Sequence, residues 1–261
     1  MRRYGLRVVP TLPLPRSAVL ATWLGLGGEL RDLLTAVQGD DEPHTVEHDG
    51  TVDTLPDYLT SLAVGTGCDA ACVLPVPGDP AALGPAVAAS AIEAGETALL
   101  RGPGGCRALV PLIRRFGSEL EPGHHVRWFA TPVVDWRRAV TSQVGSPEEA
   151  ARALSTDLLT AASALESLDS SQWWSTAVAR LDAVRDAELP SDQLPAGLKP
   201  ARLRMLTTAA RLRAIVALAG ADGMVPAGVF LADQRAAALR EIDGAARRTI
   251  TAATTFVAGT D

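Results

Sequence analysis

Residues 200–219 read PARLRMLTTAARLRAIVALA, and the fold turns on what this stretch needs around it. Met205, Ala209, Leu212, Val216 and Ala219 recur at spacings of four and three, which puts them on one stripe of a helix with 3.6 residues per turn. Leu206, Ala210 and Ala217 form a second, smaller apolar strip. Between the strips run the basic residues, Arg202 and Arg213 along one side and Arg204 and Arg211 along the other. A helix that is apolar on two sides requires neighbours on both, so this segment is expected to be the central member of a helical C-terminal region.

The flanking sequence supplies those neighbours. Ser146-Pro147-Glu148-Glu149 has the form of a capping box with proline at the first helical position, and Leu154, Leu158, Ala161, Leu165 and Leu168 continue one face. Trp174, Ala177, Val178, Leu181 and Val184 mark a following helix that stops at Pro190. A last helix is expected over residues 229–256, after Gly220 and Gly223 end the central one. Four helices with short connections predict a bundle over residues 135–261.

Ahead of Asp135 the pattern changes. Residues 45–54, TVEHDGTVDT, place two β-branched runs around Asp49-Gly50, a pair suited to a two-residue turn with positive φ. Residues 71–76 form a short buried strand candidate, and residues 97–111 a second hairpin joined through Gly102-Pro103-Gly104-Gly105. Residues 126–134 are a further strand and residues 4–11 an edge strand, since the prolines that follow forbid a central one. Helices are expected over residues 17–37, broken at Gly25, Gly27 and Gly28, over 56–64, and over 80–94 with Asp79 as cap. The predicted fold is therefore an α+β (or α/β) N-terminal lobe over residues 1–134 followed by an all-α helical bundle over 135–261, helix-dominated overall.

Composition bounds the function. The 261 residues carry 30 acidic and 24 basic side chains, for a net charge of −6, which disfavours a general nucleic-acid or anionic-membrane surface. Most of the excess is N-terminal, where Asp40, Asp41, Glu42, Glu47, Asp49, Asp53 and Asp57 form an acidic run read as a solvated face. Lysine occurs once, at Lys199, against 23 arginines, the coding bias of a high-GC bacterial genome. Three cysteines in a chain of this size point to reduced thiols and a cytoplasmic setting. The basic start is interrupted by Arg7, Arg16 and four prolines, unlike a secretory leader, and no apolar run reaches the length of a membrane span.

Several constellations carry chemistry in other proteins. His44-Thr45-Val46-Glu47-His48 fits the H-x-x-E-H pattern, but that motif needs a helix to bring both imidazoles to one ion. On a strand the two rings sit roughly 13 Å apart, so exposed hairpin histidines are expected. Cys68, Cys72 and Cys106 are candidate metal ligands without the C-x-x-C spacing, better read as buried apolar thiols. Cys106 after Gly104-Gly105, with His124 and His125 as bases and Asp135 further on, is the candidate nucleophile.

Gly25-Leu26-Gly27-Gly28 before a helix lacks the third glycine of a dinucleotide loop, because Leu30 stands there. With Lys199 followed by Pro200 there is no Walker A loop, and no G-x-S-x-G elbow occurs. Lys199, Arg202, Arg204, Arg211 and Arg213 give their stretch a local charge of +5 and are candidate anion ligands. The more ordinary expectation is that they pair with Asp182, Asp186, Glu188 and Asp192. No cofactor is expected. The sequence thus favours a soluble, non-catalytic cytoplasmic protein acting on an unknown small molecule or protein partner, with a homo-oligomer open and nucleic acid disfavoured. The alternative is an enzyme with its pocket between the lobes near Cys106.

Overall fold

In the computed structural model the described residues are 11–62, 68–118, 121–166, 184–221 and 229–258, with the side chains of 159–166, 221 and 229–232 left out. The expected strand at residues 4–11 and the helix expected around Trp174 lie outside, or almost wholly outside, the described residues.

The chain opens with α1 (Arg16–Leu26) and α2 (Leu30–Gln38). Next come β1 (Thr45–His48), β2 (Thr51–Thr54) and α3 (Leu55–Ser61). The middle runs β3 (Asp69–Val73), α4 (Pro85–Ala94), β4 (Thr97–Gly102), β5 (Gly105–Gly117) and β6 (Pro122–Val133). Helices α5 (Arg137–Val144), α6 (Pro147–Glu166), α7 (Pro200–Ala221) and α8 (Val229–Thr254) follow. The architecture is mixed α+β, with the sheet in the N-terminal part and helices in the C-terminal part.

Six strands form one sheet in the order β2-β1-β6-β5-β4-β3. Only the β1–β6 ladder is parallel, and the others are antiparallel. The β1–β2 turn is the one expected, with Asp49 at φ 47° and Gly50 at φ 80°, the paired positive values of a type I′ turn. Local start signals also hold. Thr54 accepts from the Asp57 amide at the start of α3, and Ser146 and Glu149 exchange reciprocal bonds at the start of α6 (3.1 and 2.8 Å).

Both faces of the sheet are covered where β3, β4 and β5 overlap, so β3 is buried along its whole length. Alternation along the strands sorts the two cores. Ala70, Cys72, Leu100, Leu109 and Trp128 face a core shared with α1, α2, α3, α7 and α8. Ala71, Val73, Leu99, Cys106, Ala108 and Val110 face a smaller core closed by Val87 and Ala91 of α4 and by Trp136 and Val140.

The central helix is covered on two sides near its start, though not along the expected strips: Leu206 sides with Met205 and Ala209, and Ala217 is exposed. Met205, Leu206 and Ala209 enter the large core, whereas Ala210 packs with Leu12 and Ala187. The helical region does not stand apart from the sheet. Ile250, Ala253 and Phe256, in and just after α8, join the large core, and Phe256 exchanges backbone bonds of 2.8 and 2.9 Å with Ala70 on the outer edge of β3. Asp69 extends that seam by accepting from the Ala258 amide at 2.7 Å.

Three expectations are corrected here. Helix α4 begins at Pro85 rather than Pro80, because residues 79–82 form a turn in which Ala81 and Ala82 have positive φ and Asp79 accepts from the Ala81 amide. Gly25 does not break the first helix, which ends after Leu26. Strands β5 and β6 run further than Pro111 and Val126, to Gly117 and from Pro122.

Candidate functional site

Among the described residues a cleft of about 720 Å³ lies between the α1–α2 turn and α3. Trp23, Leu24 and Leu26 come from α1, Leu30 and Leu33 from α2, and Leu59 from α3. Trp23 is oriented by its indole N–H, which donates to the Gln193 carbonyl at 2.9 Å and leaves the ring carbons for the cleft. Gly27 turns the chain at φ 77°. A Cβ on Gly28 would lie 2.7 Å from Trp23 Cε3, so this glycine lets the loop close over the ring. Glu29 brings a carboxylate to the rim, and the Thr60 hydroxyl is already donated to the Pro56 carbonyl at 2.8 Å. The glycines therefore serve helix–turn–helix packing. The loop follows a helix and not a strand, so the dinucleotide arrangement is not formed.

The histidine motif is resolved differently from expectation. His48 is a partly exposed strand residue whose Nε2 lies 2.7 Å from Asp53 and whose ring tilts onto Tyr58 at 4.7 Å. Burial raises the Tyr58 pKa, with Arg107 acting against it. His44 is not an exposed hairpin residue but is wholly buried. Trp128 donates its indole N–H to His44 Nδ1 at 3.2 Å. Indole nitrogen can only donate, so Nδ1 must accept and the His44 proton sits on Nε2, which lies 3.2 Å from Asp41 Oδ2.

Asp41 is the hub of this network. Arg16 bonds both of its oxygens, at 2.7 and 2.9 Å, and His124 Nδ1 lies 3.0 Å from Oδ1. Burial holds the His44 pKa below its usual value, with Arg16 helping and Asp41 opposing. The arrangement ties α1, the loop before β1 and β6 together.

The candidate nucleophile is separated from its candidate bases. Cys106 pairs with Val133 and His124 with Arg115, nine positions up the same ladder, or about 30 Å. His125 instead stacks on Phe116, with centroids 4.3 Å apart. Burial and the Asp135 charge push the Cys106 thiol up, against Arg101 and Arg137, so the thiol stays protonated. Asp135 is held to about 2 by Arg137, which also reaches Asp69 at 3.1 Å.

Nor do the cysteines converge as metal ligands. Cys72 faces the large core and Cys106 the small one, on opposite sides of the sheet, while Cys68 packs at the margin of the large core.

The candidate anion ligands are dispersed. Arg202 is buried and donates through Nη1 to the carbonyls of Ala252, Ala253 and Thr255, with Phe256 below it at 4.4 Å. Arg211 donates to the Ala187 carbonyl at 2.9 Å, Arg213 lies 3.4 Å from Asp243 of α8, and Arg204 is exposed. Among the described residues, the bonds these arginines make run to carbonyls of Ala187 and of the end of α8 and to Asp243. Asp182 lies outside the described residues. Sequence reasoning placed Asp41 on a solvated acidic face, whereas its side chain is only 7% exposed, and gave no role to Arg16, Trp128 or Trp23, whose roles depend on contacts between elements distant in the chain.

A mixed sheet between helical layers, with a cleft of mixed polar and apolar lining among its first three helices, defines the class as a mixed α+β protein. Residues 17–140 match the family model described as Rv1486c-like protein, N-terminal domain, and residues 148–251 match Rv1486c-like protein, C-terminal domain. The chain belongs to the Rv1486c-like family, carrying both domains in that order. No curated protein and no solved structure matches it. Among the described residues no helix is long and apolar enough to cross a membrane.

Proposed function

We propose that this protein acts in the cytoplasm by binding rather than by catalysis, and that the cleft between α1, α2 and α3 takes an apolar small molecule. The observation that carries this reading is the lining itself: Trp23, Leu24, Leu26, Leu30, Leu33 and Leu59 around about 720 Å³, with one carboxylate at the rim. The protonated state of Cys106 and its distance from His124 support the same side, because a thiol without a base is a poor nucleophile. In this reading residues 135–261 are an all-α bundle whose work is to brace the sheet and the α1–α2 pair, and residues 1–134 carry the binding function. No cofactor is required.

The test uses Nile red, a neutral apolar dye, with the full chain. Wild-type protein is expected to enhance its emission at one saturable site. Thr60→Trp, which puts a large ring at an exposed cleft position without burying charge, is expected to abolish that site at an unchanged melting temperature. A titration identical in the two proteins would sink the proposal. A native mass spectrum of the protein from its own host adds a direct readout of a retained apolar mass.

A further inference from the structure

Strand β5 has thirteen residues and its neighbour β4 has six. Their ladder stops at Ala98↔Leu109, whereas the ladder with β6 continues to Gly117↔Pro122. The chain ahead of β4 is drawn away from β5, because Glu96 is buried and accepts from the Ser17 amide at the start of α1 (2.7 Å). Among the described residues, positions 112–117 of β5 therefore have a strand on one side only, an open edge about 20 Å long.

The side chains on this edge alternate in a defined way. Leu112, Arg114 and Phe116 lie on one face, and Ile113 and Arg115 on the other. Leu112 and Phe116 are 38% and 40% exposed, unusual for side chains of their size, and both arginines are exposed. Their partners across β6 are His125 and His124, so no carboxylate stands opposite them in the ladder. Neither arginine makes an ion pair among the described residues.

We propose that residues 112–117 take up an extended acidic peptide segment of another protein as an added strand. Backbone groups of the open edge supply the pairing, and alternate side chains supply the selectivity. The fitting partner has acidic residues opposite Arg114 and Arg115 and apolar ones opposite Leu112 and Phe116. A second copy of this chain is the wrong occupant, since two-fold pairing of β5 with itself sets the arginine pair against its own copy, and like charges across a ladder repel. A nucleic-acid strand fits less well, because His125 already stacks on the Phe116 ring and the open edge presents peptide groups rather than a ring platform.

The experiment is fluorescence anisotropy with the full chain and a labelled, acetylated Thr-Val-Glu-Glu-Thr-Val peptide, whose antiparallel register sets Val opposite Phe116 and Leu112 and Glu opposite Arg115 and Arg114, paired with hydrogen exchange. Binding is expected, with slowed exchange at amides of residues 112–117, and the peptide with Lys in place of Glu should bind about tenfold more weakly. Arg114→Glu combined with Arg115→Glu should reverse that preference while leaving the melting temperature unchanged. The proposal is overturned by binding indifferent to peptide charge, by charge-dependent binding that leaves the edge amides unprotected, by no binding at all, or by oligothymidylate displacing the peptide from that edge.

Discussion

Trp128 and His44 meet in the core with the indole N–H donated to imidazole Nδ1 at 3.2 Å, and neither side chain reaches water. That single bond sets the His44 tautomer and forbids its protonation, since a second ring proton would point at the indole hydrogen. Burial lowers the His44 pKa in the folded state. Unfolded His44 takes a proton near pH 6.5, and the folded chain refuses it. The contribution is therefore fully present above about pH 6.5 and declines as pH falls below it, by at most about 1.4 kcal/mol per pH unit. Urea denaturation at about pH 7.5 and about pH 5.5 should show wild type losing more stability than His44→Phe. At the higher pH the variant should itself be weaker by about 1–3 kcal/mol, because Trp128 loses its acceptor. Equal losses on acidification in the two proteins would refute the assignment.

Arg202 is the next most consequential contact. Its Nη1 serves three carbonyls at 2.8 to 3.3 Å around the C-terminal end of α8, groups that a helix end leaves without internal partners. Directly beyond them Phe256 joins the edge of β3, so the guanidinium secures the junction between helical region and sheet. Arg202→Met removes these donors and should cost about 2–4 kcal/mol, whereas Arg202→Lys keeps one donating nitrogen but loses the planar guanidinium over the Phe256 ring and should cost less. Hydrogen exchange at the Ala70 and Phe256 amides should rise more than exchange within β5. A uniform rise would mean that the arginine stabilises the fold without holding that seam.

Gly25 gives a sharper test of the same seam. It sits inside α1, where alanine would ordinarily improve the helix, yet an added Cβ there would overlap the Phe256 ring. Gly25→Ala is expected to destabilise by about 1–3 kcal/mol through overpacking. In a Phe256→Gly background, which removes both the ring and the Phe256 Cβ at 2.6 Å, the same change should cost less, a coupling visible in a double-mutant cycle. Additive effects would place the strain elsewhere.

These contacts also mark where sequence reading stops. The β1–β2 hairpin was legible because Asp49-Gly50 states its own backbone geometry, and the α6 cap because Ser146 and Glu149 satisfy each other locally. The double-sided need of α7 was legible from Met205, Leu206, Ala209 and Ala210, but periodicity gives a stripe and not its cover, so the docking of α8 on β3 was not. No element is expected over Arg114 and Arg115, although the β6 ladder carries them in a strand. Gly25 read as a helix break because its real reason, the Phe256 ring, lies 231 positions away. His44 read as exposed because its burial depends on Trp128, 84 positions on. Of the cleft, only the glycine pair had a sequence signal, and it reads as an incomplete dinucleotide loop rather than as a site.

The thiols decide whether any catalytic reading survives. Burial pushes Cys68 up to about 12 and Cys72 well above its ordinary value, and Cys106 is raised by burial together with the Asp135 charge. Because the thiolate is the reactive species, all three should label with a chromogenic thiol reagent far more slowly in native protein at about pH 8 than in urea. Cys72, wholly buried, should react only through unfolding, with a rate independent of reagent concentration once reagent is in excess. Cys106→Ser should leave Nile red binding at the α1–α3 cleft unchanged, because the two sites use different elements and different cores. A burst of one equivalent, mapped to Cys106 at neutral pH, would instead reveal an activated thiolate and restore the enzyme alternative.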